Sequence, residues 1–100
     1  MPLFLVTTLD KPDALELRLT KRPEHLAWLN AQGGTVKVAG ARWSDAAEPK
    51  PYGSTLLVEA ENLAAARTWA AQDPFAKSGV FAEIKVEEIR PAVGAWVPKV

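Results

Sequence analysis

His25 is the only histidine in the 100 residues, and it sits in Arg22-Pro23-Glu24-His25-Leu26, two positions after a proline. Imidazole is the one side chain that ordinarily changes charge near neutral pH, which suits it to general acid/base proton transfer. Such a base works best when a carboxylate holds one ring nitrogen and leaves the other free. Asp73, in Gln72-Asp73-Pro74-Phe75, is the candidate for that carboxylate. Arg22 offers a guanidinium for an anionic substrate, and Ser54 a hydroxyl that can hydrogen-bond one. Each residue also has a plainer reading. His25 can be ordinary packing at a helix border, and Arg22 a surface charge. Ser54 can simply open a strand after Gly53; nothing around it forms the turn of a nucleophilic serine. Asp73 before Pro74 is the N-cap of a short turn through Lys77. A carboxylate has enough acceptor sites to cap that turn and orient an imidazole together.

The elements that must position these side chains follow from periodicity and punctuation. Residues 3–8 form a short run of strand formers, closed by Asp10-Lys11-Pro12. Asp13 is placed to cap a helix in which Leu15, Leu19, Leu26 and Leu29 share one face, running to about Gln32. Pro23 predicts a kink, or a division into two helices, near residues 19–23, and such a kink would aim His25. Gly33-Gly34 supplies a left-handed end. On an idealised wheel with Leu15 at zero, Arg22 falls near 340°, Arg18 near 300° and His25 near 280°. His25 thus sits at the border of the leucine stripe, beside two arginines.

A second strand is predicted over residues 35–43, and a polar, Pro-rich loop over 44–53. A third strand follows over 54–60. Asn62 caps an Ala-rich helix over 63–72 that Asp73-Pro74 stops. A fourth strand runs over 80–89, with Ala82, Ile84 and Val86 on one face and Glu83, Lys85 and Glu87 on the other. The tail, residues 91–100, carries Pro91, Trp96 and Pro98 and reads as extended. The order β-α-β-β-α-β is the ferredoxin-like arrangement: an α+β fold with a four-stranded antiparallel sheet and both helices on one face. The first strand is apolar on both faces, so the open face of the sheet predicts a partner, most simply a second copy packed face to face.

Composition bounds the function. One hundred residues make one domain. Twelve Lys+Arg balance twelve Asp+Glu, with no basic patch of the kind that nucleic acid or an anionic membrane would favour. The absence of cysteine excludes a disulfide framework, a thiolate metal site and a cysteine nucleophile. One histidine without cysteine is a poor metal or haem ligand set, so neither a metal nor another cofactor is expected. The N-terminal residues lack the features of a signal peptide, and no run approaches the length of a membrane span. A cytoplasmic protein is expected. Most of the four tryptophans are assigned to the core or a dimer interface, and Phe75 and Phe81 to the core.

The chain resembles the YciI-like family. The likeness is carried by Arg22-Pro23-Glu24-His25-Leu26, by Gly53-Ser54, by the segment from Val58 to Phe75 that ends in Asp73-Pro74-Phe75, and by Gly79-Val80-Phe81. It spans about residues 1–91 as a single domain, with residues 92–100 left as a tail. It implies a dimeric α+β barrel of ferredoxin-like protomers. It also implies a His25–Asp73 dyad in a pocket with Ser54 nearby and, through that dyad, an activity of lyase or isomerase type, though no known reaction; proton transfer by such a dyad suits a small, anionic or enolic metabolite. The alternative it leaves open is a small-molecule binding or sensor module without chemistry. Two positions depart from the family pattern: Ala41 follows Ala39-Gly40 where relatives often have proline, and Ala92 follows Arg90-Pro91 where an aromatic is usual.

Overall fold

In the computed structural model, which describes residues 1–97, the elements run β1 (Leu3–Asp10), α1 (Leu15–Asn30), β2 (Val36–Trp43), β3 (Pro51–Glu59), α2 (Leu63–Ala70), α3 (Pro74–Lys77) and β4 (Phe81–Ile89). A short 3-10 turn, Gly33–Thr35, joins α1 to β2. The strands form one sheet in the order β2-β3-β1-β4, with every neighbouring pair antiparallel. This is the ferredoxin-like α+β fold that the element order predicts. No described helix is long and apolar enough to cross a membrane.

One face of the sheet carries the helices. Phe4, Val6 and Thr8 of β1 pair with Val58, Leu56 and Ser54 of β3 on that face, and all six are buried. Beneath α2, Phe4, Val6, Leu56 and Val58 join Ala60, Ala66 and Ala70 in the larger core cluster. A second cluster of Ala14, Phe75, Val80 and Phe81 lies at the other end. Three register shifts interrupt the pairing; one leaves Tyr52 of β3 as the extra residue between the Arg42–Gly53 and Trp43–Pro51 pairs, and the other two break the alternation read from the sequence. Asp10 pairs with Phe81 while Leu9 pairs with Glu83, so Ala82 is the extra residue. The bulge turns Phe81, rather than Ala82, to the face of Ile84 and Val86. In β2, Val36 pairs with Val58 and Val38 with Leu57, so Lys37 bulges and the two valines end on opposite faces.

Helix α1 differs most from its wheel. It is one unbroken helix through Pro23, not two. Pro23 and Leu19 are both exposed, where the carbonyl freed by the missing proline N–H can bond water. Asp13 does not cap it. The N-cap is Ala14, with no side-chain bond, and Asp13 takes a left-handed φ of 60° one residue earlier. Gly33 is left-handed as expected, at φ 62°, but it follows the helix end at Asn30 rather than making it. The buried residues of α1 are Arg18 and His25, whereas Leu19 and Leu26 are exposed. The side of α1 that packs is therefore centred on the two polar residues, and the leucines look onto open space.

The tail is not extended as far as it is described. Val97 N–H donates to the Gly94 carbonyl (3.1 Å), and Gly94 has a φ of 149°, so the chain turns there. Trp96 is exposed. Pro98 lies outside the described residues.

Candidate active site

The short helix α3 starts at Pro74 because Asp73 caps it: Phe75 N–H donates to Asp73 Oδ1 at 2.9 Å. The same oxygen lies 2.7 Å from His25 Nδ1, and the two residues are only 2% and 7% exposed. A carboxylate accepts and cannot donate, so the proton of this bond belongs on Nδ1. The two readings of Asp73 thus coincide on one atom. The His25 ring also lies flat on the Phe75 ring, with centroids 3.9 Å apart and planes 12° apart. Asp73 thus holds the imidazole by its edge and Phe75 by its face. Nε2 is the ring nitrogen left without a protein partner among the described residues.

A second buried group stands beside the dyad. Arg18 is 4% exposed and donates through Nη1 to both oxygens of Asp10 (3.1 and 2.9 Å) and through Nη2 to Ser54 Oγ (2.8 Å). Ser54 N–H in turn donates to Thr8 Oγ1 at 2.8 Å. The guanidinium carbon lies 4.7 Å from the centroid of the Phe75 ring, which therefore touches both Arg18 and His25. Sequence reasoning missed Arg18 and Asp10 as members of the site. The seven-residue spacing of Arg18 and His25 aligns them on one side of α1, but nothing local shows that this side is buried. Asp10 carries no signal beyond closing a strand.

The leucine side of α1 and the edge strand β2 enclose a cleft of about 630 Å³, within the usual range for small-molecule sites. His25, Arg18 and Phe75 line it, as do Leu15, Leu19, Leu26 and Leu29. Phe75 is therefore both core and cleft wall. Arg22 lines the cleft and is exposed, with no hydrogen bond to another described residue. Ser54 does not line it. The residue is 2% exposed and its hydroxyl accepts from Arg18, so in this structure it stands behind Arg18 rather than at the cleft. Of the tryptophans, Trp28 and Trp69 pack against each other at 4.6 Å. Trp43 is exposed at the cleft, and Trp96 is not part of its wall.

Gly53 sets the spacing of β1 and β3 next to Ser54. A Cβ there would run into the Thr8 carbonyl oxygen and crowd the Arg42 side chain that donates to it (2.8 Å). The obstacle is backbone and cannot swing away. Gly53→Ala is expected to lower stability by about 1–3 kcal/mol, read as a fall in urea midpoint. An unchanged midpoint would show that the strands separate without penalty.

Comparison with known proteins places this chain in a family. The model of the YCII-related domain matches residues 2–90. The chain belongs to the YCII-related family. Among its relatives, Protein YciI of Escherichia coli O6:H1 is 36% identical over 94 residues, covering 88% of this chain and 96% of the relative. An uncharacterised protein of Haemophilus influenzae is 33% identical over 93 residues, covering 87% and 95%. A solved structure of similar fold is the 5-chloro-2-hydroxyhydroquinone dehydrochlorinase TftG of Burkholderia phenoliruptrix, in complex with 2,5-dihydroxybenzoquinone. It superposes with a TM-score of 0.82 at 30% identity, over 90% of this chain and 95% of that one. The YCII-related domain thus accounts for every element from β1 to β4.

Proposed function

We propose that this YCII-related protein is a small cytoplasmic enzyme that uses His25 and Asp73 for general acid/base proton transfer in an elimination or isomerisation. The observation that carries the reading is the 2.7 Å contact between two buried side chains at a cleft, with Nε2 left free. His25 takes a proton from the substrate through Nε2, and Asp73 stabilises the imidazolium that forms. The resemblance to a dehydrochlorinase supports an elimination. Loss of hydrogen chloride needs a base for the proton and a route for the departing anion, and the site supplies the base. Cyclic compounds with acidic or enolic positions fit such a base. The test is a thermal-shift screen of a metabolite library on wild type and His25→Gln, with product analysis of the hits. The expected hit stabilises both proteins and is converted only by wild type. Hits recovered unchanged from wild type would favour a binding or sensor module instead.

The same reading makes the protein a homodimer through the open sheet face. There Leu3, Leu5 and Leu57 are half-buried and Val38 and Ile89 exposed, with no helix above them. A glutamate at the centre of that face would be desolvated without a partner in a dimer. Leu5→Glu is expected to reduce the mass in light scattering from that of two chains to the 10.9 kDa of one. A dimer that survives the substitution would place the interface elsewhere.

A further inference from the structure

The chain as a whole is electrically neutral, but its cleft is not. Among the described residues, four ionisable side chains line the cleft, Arg18, Arg22, His25 and Lys50, and no carboxylate does. Arg18 is neutralised by Asp10 at 2.9 Å. Arg22 and Lys50 have no acidic side chain within salt-bridge distance among the described residues. They come from different elements: Arg22 from α1, and Lys50 from the end of the loop before β3. The rest of the lining is apolar. Leu19 and Leu26 are exposed on one side, and Trp43 presents its indole on the other. A cleft lined by one sign of charge with low-dielectric walls concentrates counter-ions of the other sign.

We infer that the cleft takes a compact organic anion, its apolar, ring-sized body against the leucines and Trp43 and its anionic group held between Arg22 and Lys50. The inference rests on the catalytic reading of the same cleft and specifies the substrate class that reading leaves open. It assigns Lys50 a binding role that no local sequence feature indicates. The arrangement selects by charge: a neutral molecule of the same shape leaves both cations unpaired, and a cationic one is repelled. A guanidinium and an ammonium serve a carboxylate and a phosphate monoester alike, so the shared chemistry is an anion on a small ring.

The test is calorimetric titration of the full chain with two matched pairs: 4-hydroxybenzoate against 4-hydroxybenzamide, and phenyl phosphate against phenol. In at least one pair the anion is expected to bind about tenfold or more tighter than its neutral partner. That preference is expected to shrink as salt is raised, because the two cations are solvent-accessible. It is expected to vanish in Arg22→Gln/Lys50→Gln and to persist in His25→Gln; the pair that shows it identifies the group. Equal binding of acid and amide and of phosphate and phenol overturns the inference. So does a preference that survives in the double variant, or no binding by either anion at millimolar concentration. The readout is binding, not turnover. A clamp that fails while His25→Gln still abolishes conversion therefore leaves the proposed catalytic role standing.

Discussion

Replacing His25 with glutamine is expected to lower the turnover of a true substrate by about 10²–10⁴-fold, the usual contribution of a positioned base. The fold is expected to survive. Glutamine fills much of the space over the Phe75 ring, and Asp73 keeps its bond to Phe75 N–H, so the turn that begins α3 remains capped. The loss of the bond to the buried Asp73 carboxylate amounts to about 1.5–3 kcal/mol of stability. Far-UV circular dichroism and steady-state rates on the same sample separate the two effects. Asp73→Asn sharpens the test, because asparagine can still cap Phe75 through its oxygen but carries no charge to stabilise an imidazolium. It is expected to fold and to turn over more slowly than wild type. Full activity in His25→Gln would remove the proton-transfer mechanism.

Replacing Arg18 with methionine is expected to have the largest effect on stability. The Arg18 and Asp10 side chains are 5% and 6% exposed, so the substitution leaves a carboxylate buried without its cation. Breaking such a pair from one side costs about 3–5 kcal/mol, a large fraction of the roughly 5–15 kcal/mol that holds a small domain together. For a domain of this size the melting temperature should fall by roughly 15 °C or more. Ser54 and the Phe75 ring lose a partner as well. The double variant Asp10→Leu/Arg18→Met removes both charges and is expected to recover most of the loss, since buried pairs are often replaced by apolar residues at little net cost. A double variant as unstable as the single one would assign the effect to packing rather than to the stranded charge. Calorimetry of the three proteins decides it.

The local signals in the sequence were strong where an element depends on its own neighbours. The Asn62 cap is present as read, its side chain accepting from Ala65 N–H at 2.8 Å. Asp73 before Pro74 is the cap of a one-turn helix. The four strands lie within a few residues of their predicted places. The bulges at Lys37 and Ala82 were not legible, because an extra residue in one strand is defined only against its partner strand. The burial of α1 was misread for a related reason. The wheel locates an apolar stripe but not what stands opposite it. Here the docked side is set by α3 and the small Ala14–Phe75–Phe81 cluster, which receive Arg18 and His25, while the leucines border the cleft.

What the sequence alone determined is the order of elements, hence the ferredoxin-like fold, together with the residue types able to transfer a proton. Periodicity, caps and breakers act over one or two turns and need no knowledge of the rest of the chain. The tertiary structure decided which of those residues meet. It joined His25 to Asp73 across 48 positions and Arg18 to Ser54 across 36, sent Ser54 behind Arg18, and brought Arg22 and Lys50 to one cleft. Such meetings depend on how α1 docks on the sheet and on α3. A buried ion pair or a shared carboxylate oxygen is specified by that docking and by the desolvation it imposes, and no spacing along the chain encodes either.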